Sequence, residues 1–242
     1  MNIAIVGAGY VGLVTGVCLA EIGHHVVCVD SNMEKIKALK QGKSPIYEPG
    51  LEALMIKLMK KKRLNFTSSI SSAVKQSGVI FIAVGTPSKK NGDADLTYVE
   101  NVARQIAANM NGYKLIVEKS TVPADTGKRV QRTIALNLPK KFRTGKNAVE
   151  FDVASNPEFL REGCAIEDFM NPDRVVIGVE SRRAEDLLKE IYKPLKAKIV
   201  VTNINSAEII KHASNSFLAA KISFANALAQ VCDRVGADVL KV

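Results

Sequence analysis

The chain has 242 residues, 47% of them hydrophobic and 24% charged, which is ample for a folded core and too apolar for a disordered chain. Lys and Arg number 34 against 24 Asp and Glu, and the net charge of +10 suits an anionic partner without saying whether it is nucleic acid, lipid or a phosphorylated small molecule. With 5% aromatics and no Trp there is little to stack bases on, Cys18, Cys28, Cys164 and Cys232 form no CxxC pair, and no apolar run nears the roughly 20 residues of a membrane span, so a metal site and membrane insertion are not expected, nucleic acid is disfavoured, and a cytoplasmic location fits best.

The first predicted strand, 3–6, is wholly apolar and runs into Gly7-Ala8-Gly9-Tyr10-Val11-Gly12, a GxGxxG that opens a helical stretch over 11–22. In that setting Gly7 permits the tight turn, Gly9 lets a pyrophosphate approach the backbone, Gly12 lets helix and strand pack closely, and the helix N-terminus offers free N–H groups to the anion. A second strand, 25–29, ends at Asp30, near the spacing at which an acid takes the ribose hydroxyls of NAD and repels the extra phosphate of NADP. The plain alternative is a glycine-rich turn with a helix-capping Asp.

Further strands are predicted at 79–84, 115–118, 151–154, 174–179 and 199–201, with helical stretches between them and loops at 88–95 and 138–149. Several are nearly all apolar, as expected of parallel strands covered on both faces. The fold class is therefore α/β, a doubly wound (Rossmann-like), mainly parallel sheet followed by a long connecting helix. Three strand ends carry small or polar residues: Gly85-Thr86-Pro87, Lys119-Ser120-Thr121, and the stretch from Ser155 to Gly163. In open α/β sheets the ligand lies beyond such carboxyl ends. Each could be an ordinary turn, but together they read as one site.

From Asn205 to Val235 there is no Gly or Pro, and Gly236 stands where a helix C-cap would sit, so one helix of about 45 Å is predicted, with Asn205 as N-cap and Glu208 completing a capping box. Its apolar stripe includes Ile209, Phe217, Phe224, Val231 and Val235 and needs a cover. Lys211 and Asn215 are four apart and share a face, to which Asn226 nearly returns.

GAGYVG (7–12), YEPGLEAL (47–54), VGTPS (84–88), KSTVP (119–123), NPEFLREG (156–163), NPDRVVIG (171–178) and NSFLAAKISFANALA (215–229) resemble the nucleotide-sugar dehydrogenases of the UDP-glucose/GDP-mannose family, and within it the UDP-glucose 6-dehydrogenase branch. The resemblance implies a four-electron oxidation of a sugar C6 alcohol to a carboxylate, turning UDP-glucose into UDP-glucuronate with two NAD and a cysteine that carries covalent intermediates. It implies an NAD site lined by Gly7, Gly9, Tyr10, Val11, Gly12, Asp30, Lys35, Gly85, Thr86, Pro87, Ser120, Thr121 and Glu158. The loop Glu158, Phe159, Leu160, Arg161 and Glu162 would hold the sugar nucleotide with Lys211 and Asn215. Thr121, Glu158, Glu162, Lys211 and Asn215 would form the catalytic set.

The family's cysteine lies in a glycine-rich segment that has no counterpart in these 242 residues, and none of the four cysteines matches it. The resemblance divides the chain into an NAD-binding domain at 1–202 and the start of a central helical domain at 203–242, with a C-terminal UDP-binding domain absent; a chain inactive alone and homodimerising through its last helix is expected. Ala124-Asp125 stands where the family has Val-Gly, putting an acid near the cofactor phosphates. GDP-mannose and UDP-N-acetyl-hexosamine dehydrogenases remain alternatives, as does a non-catalytic NAD-binding module. The basic clusters Lys57, Lys60, Lys61, Lys62, Arg63 and Lys140, Lys141, Arg143, Lys146 read as solvated faces rather than a nucleic-acid surface.

Overall fold

A computed structural model describes residues 1–143 and 148–242. In chain order it contains β1 (Asn2–Val6), α1 (Tyr10–Glu21), β2 (His25–Val29), α2 (Met33–Lys40), α3 (Leu51–Lys60), β3 (Leu64–Thr67), α4 (Ile70–Gln76), β4 (Val79–Ile82), α5 (Thr97–Asn109), β5 (Lys114–Glu118), α6 (Thr126–Asn137), β6 (Phe151–Ser155), α7 (Ala165–Met170), β7 (Val175–Gly178), α8 (Arg182–Tyr192), β8 (Ile199–Thr202) and α9 (Ile204–Val235). The strands form an eight-stranded sheet in the order β3-β2-β1-β4-β5-β6-β7-β8. The strands from β3 to β6 are all parallel; β7 meets β6 antiparallel at the pair Ser155 and Gly178, and β8 runs parallel to β7. Strand order reverses between β1 and β4, so the crevice beyond their carboxyl ends is the expected ligand position of this topology.

The apolar strand runs are explained by two buried faces. Side chains alternate, so Ile3 and Ile5 of β1 enter a core with Leu13, Val17, Phe66, Phe81 and Leu115, while Ala4 and Val6 enter one with Ile80, Ile82, Ile106, Ile116 and Ile134. Helix α1 is buried over Gly12 to Ala20, which accounts for its nearly uniform apolar sequence.

Several details depart from the sequence expectations. Strand β3 was not anticipated: its four residues, Leu-Asn-Phe-Thr, sit at the sheet edge and alternate in burial, too short for a clear period. Strand β4 stops at Ile82, and Ala83 and Val84 leave the sheet to pass the turn at Gly7. Loop 88–95 closes on itself through a bridge between Ser88 and Ala94. Of the loop at 138–149, Lys140–Phe142 forms a 3-10 turn, and 144–147, including Lys146, lie outside the described residues.

The cap of α9 is corrected. Asn203, not Asn205, is the N-cap, its side chain accepting from Ser206 N. Asn205 donates instead to Asp125 Oδ1 (2.9 Å), and Glu208 accepts from Gly127 N (2.7 Å). The first two turns of α9 bury Ile204, Ala207, Glu208 and Lys211 against the sheet and α6. Beyond them Phe217 and Phe224 are 69% and 71% exposed. Among the described residues no helix is long and apolar enough to cross a membrane.

Candidate functional site

The turn after β1 is built around missing side chains. Gly7 has φ of +106°, and a Cβ there would fall 2.3 Å from Ala83 O; a Cβ on Gly12 would fall 1.9 Å from Gly7 O. Both positions are closed to any larger residue. Gly9 differs: a Cβ there would meet nothing within 4 Å. Gly9 is also the N-cap of α1 and supplies no side-chain acceptor, and no acid stands in the first turn. The free N–H groups of α1, with Val11 half-buried in its first turn, thus face open space that an anion fits.

At the end of β2, Asp30 accepts from Ala8 N (3.1 Å), Asn32 N (2.9 Å) and Lys35 Nζ (2.8 Å). Burial pushes its pKa up, but the bonds from Lys35 and the two amides outweigh this and hold the carboxyl below its ordinary value. It is therefore ionised, on the rim of a cavity shared with Gly7, Val84, Tyr98 and Asn101. That cavity lies between the ends of β1, β2 and β4, where an adenosine half would sit.

The ends of β4 and β5 are tied together. Thr86 donates to Thr121 O (2.8 Å), and Ser120 N contacts Ile82 O (3.2 Å). Thr86 and Thr121 line one open cavity with Asp125, Arg129 and His212. Gly85 and Pro87 are exposed on the connecting turn. Asp125 adopts φ of +69°, the left-handed region that favours Gly, and its carboxylate is paired with Lys128 and Asn205. The charge there is paired locally.

Beyond β6 the loop 156–163 meets α9. Lys211 Nζ lies 2.8 Å from Glu158 Oε1, with side-chain exposures of 8% and 11%, and Glu158 Oε2 accepts from Leu160 N (2.6 Å). Lys211 also lies over the Phe159 ring at 5.5 Å. Lys211, Asn215, Phe159, Leu160 and Arg161 line a common open cavity. Glu162, by contrast, is exposed and takes no part in the Glu158–Lys211 pair.

Several residues here carried no individual expectation. Lys119 is buried, donates to Asn156 O (3.2 Å) and Oδ1 (3.1 Å), and burial lowers its pKa to about 8 against the opposing pull of Glu158. Asn156 is fixed further by Tyr192 Oη and by its own bond to Val176 O. Glu118 ends β5 after the apolar run Leu115–Val117; burial raises its pKa to about 8, and one of its oxygens, like one of Glu208, has no hydrogen-bond partner among the described residues. Glu48, inside the YEPGLEAL motif, accepts from the hydroxyl of Tyr10 and from Gly163 N (2.9 Å). A charged residue closing an apolar run was the available signal for Glu118 and Lys119. Nothing local marks Glu48, whose partners are remote in sequence.

The profile described as the UDP-glucose/GDP-mannose dehydrogenase family, NAD binding domain, matches residues 1–196, and that of the same family's central domain matches residues 205–242. The chain is 53% identical over 241 residues to UDP-glucose 6-dehydrogenase TuaD of Bacillus subtilis, covering 100% of this chain and 51% of that protein. It is 51% identical to a UDP-glucose 6-dehydrogenase of Rhizobium meliloti, covering 100% and 55%. Among solved structures, a UDP-glucose dehydrogenase from Pyrobaculum islandicum superposes with TM-score 0.92 at 43% identity, covering 99% of this chain and 54% of that one. A GDP-mannose dehydrogenase from Pseudomonas aeruginosa gives 0.90 at 43%, covering 100% and 55%. The chain thus spans about half the length of the relatives it matches.

Proposed function

The chain belongs to the UDP-glucose/GDP-mannose dehydrogenase family, and from that premise we propose that it is the NAD-binding half of an enzyme oxidising the C6 alcohol of UDP-glucose to the carboxylate of UDP-glucuronate. The carrying observation is the convergence of the open phosphate loop, the ionised Asp30 and the Glu158–Lys211 pair beyond the carboxyl ends of the parallel strands. GDP-mannose is the second substrate reading, supported by the fold shared with a GDP-mannose dehydrogenase.

The residues present fit NAD. Gly9 and the N-terminus of α1 leave room and donors for a pyrophosphate. Asp30 accepts from ribose hydroxyls and repels a 2′-phosphate. When bound, NAD supplies the acceptor for hydride from the sugar carbon. Thr86, Ser120 and Thr121 flank the reacting end of the cofactor site. The Lys211 ammonium and the Asn215 carboxamide offer donors to an oxyanion developing at C6. Glu158, oriented by Lys211 and by Leu160 N, is the carboxylate suited to accept a proton from water in the hydrolytic step. Phe159, Leu160, Arg161 and Glu162 form the loop over the sugar nucleotide.

The cysteine-bearing segment of the family has no counterpart in residues 1–242, so this chain alone binds NAD without oxidising UDP-glucose. Absorbance at the NADH wavelength, with purified chain, NAD and UDP-glucose, is expected to stay flat while NADH itself binds saturably. Sustained NADH formation contradicts this reading. The exposed apolar stripe of α9 supports a homodimer paired through that helix. A cytoplasmic location, without nucleic acid or membrane partners, accords with the composition.

A further inference from the structure

The loop 156–163 is anchored at both ends by carboxylates that come from, or pair with, distant elements. At one end Glu158 is paired with Lys211 of α9. At the other stands Glu48, buried on the turn before α3. The Tyr10 hydroxyl donates to Glu48 Oε2, Gly163 N donates both to that oxygen (2.9 Å) and to Tyr10 Oη (3.0 Å), and Ile166 N contacts Glu48 Oε1 (3.3 Å). Helix α7 has Cys164 as N-cap without a side-chain cap bond, so its acceptor comes from a residue 118 positions earlier.

The Tyr10 end of this cluster carries the mechanistic weight. Tyr10 is the first residue of α1, so its backbone belongs to the N–H array facing the phosphate site while its side chain reaches Glu48. Gly163 sits at φ of +87°, a left-handed turn that closes the loop bearing Glu158. One carboxylate therefore joins the turn that receives the cofactor phosphates to the loop assigned to the sugar nucleotide.

We propose that Glu48 is a positioning residue that locks the 156–163 loop to the cofactor loop through Tyr10, so that filling the phosphate site stiffens Gly163 and Ile166. The coupling to the phosphate site rests on the NAD reading above; the lock itself does not. Burial and the Glu48 carboxylate raise the Tyr10 hydroxyl to about 12, so it remains a donor at neutral pH.

The test is residue-resolved amide hydrogen exchange on the 242-residue chain, with and without NADH, in wild type, Glu48→Ala and Tyr10→Phe. Without NADH, Glu48→Ala is expected to speed exchange at Gly163 and Ile166 by about tenfold or more relative to wild type, with distant strands unchanged. Should that variant fail to fold, Glu48→Leu, which keeps the side chain's bulk but removes both acceptor oxygens, takes its place. With NADH saturating each protein, wild type is expected to slow at both amides by at least about threefold, and Tyr10→Phe, which removes only the hydroxyl, is expected to lose that slowing. Unchanged exchange in the Glu48 variant overturns the lock. Bound NADH with no response at these amides, or an equal response in Tyr10→Phe, overturns the coupling while leaving the NAD reading intact. Absence of NADH binding to wild type overturns the NAD reading and the coupling together.

Discussion

At the scale of single residues, the glycines of the turn after β1 are expected to separate folding from binding. Gly12→Ala would drive a Cβ into Gly7 O and is expected to cost about 2–3 kcal/mol or more, read as a fall in melting temperature. Gly9→Ala meets open space; it is expected to stay within about 1 kcal/mol of wild type while losing tenfold or more in NADH affinity. Equal loss of stability in the two variants would contradict this assignment. Asp30→Asn is expected to narrow the preference for NADH over NADPH, since the acid is ionised and in the proposed site it would repel the extra phosphate. The close approaches at Gly7 and Gly12 were legible because the motif's geometry is local, whereas the role of Gly9 rests on the proposed cofactor reading. The partners of Lys119, Glu48 and Glu158 were not, because each bond joins segments far apart in the chain and leaves no periodic trace.

At the scale of elements, β5 ends on a buried acid beside a buried base. The folded pKa of Glu118 is raised from 4.5 to about 8, so between those values the folded chain keeps a proton that the unfolded chain has released. Its contribution is fully present below about pH 4.5 and is lost as pH rises toward 8. Lys119 is lowered from 10.5 to about 8, so its contribution is present above about pH 10.5 and is lost as pH falls through 8. Denaturant melts across pH 5 to 8 are expected to show stability declining by on the order of 1–4 kcal/mol, and Glu118→Gln is expected to flatten that slope. An unchanged slope in the variant would contradict the assignment to Glu118. The all-apolar strands could be read because both faces of the sheet are covered. Strand β3 could not, being a four-residue edge, and the α9 cap was misassigned because Asn203 and Asn205 are both good caps, while the bond that draws Asn205 away comes from Asp125 across the fold.

At the scale of the whole molecule, α9 divides its sequence between two environments. Its first turns are buried and carry Lys211 to Glu158, whereas Phe217, Leu218, Ile222 and Phe224 stand exposed. A second copy of the chain is the proposed cover. Replacing Phe217 and Phe224 together by Ser is expected to weaken self-association at least about tenfold in sedimentation without lowering the melting temperature of the sheet domain. A wild-type chain that sediments as a monomer at all concentrations would contradict the pairing. The length of the helix and its apolar stripe were visible in the sequence; which part of that stripe the chain itself covers depends on where β6, β7 and α6 end, and only the fold supplies that.

An equilibrium titration of the purified chain with NADH and NADPH decides most directly whether the crevice at the strand ends is an NAD site. An NAD site there is expected to bind one NADH per chain saturably, to bind NADPH tenfold or more weaker because of Asp30, and to change little between low and moderate salt. Absent NADH binding, equal affinity for the two nucleotides, or binding that collapses with salt would contradict it.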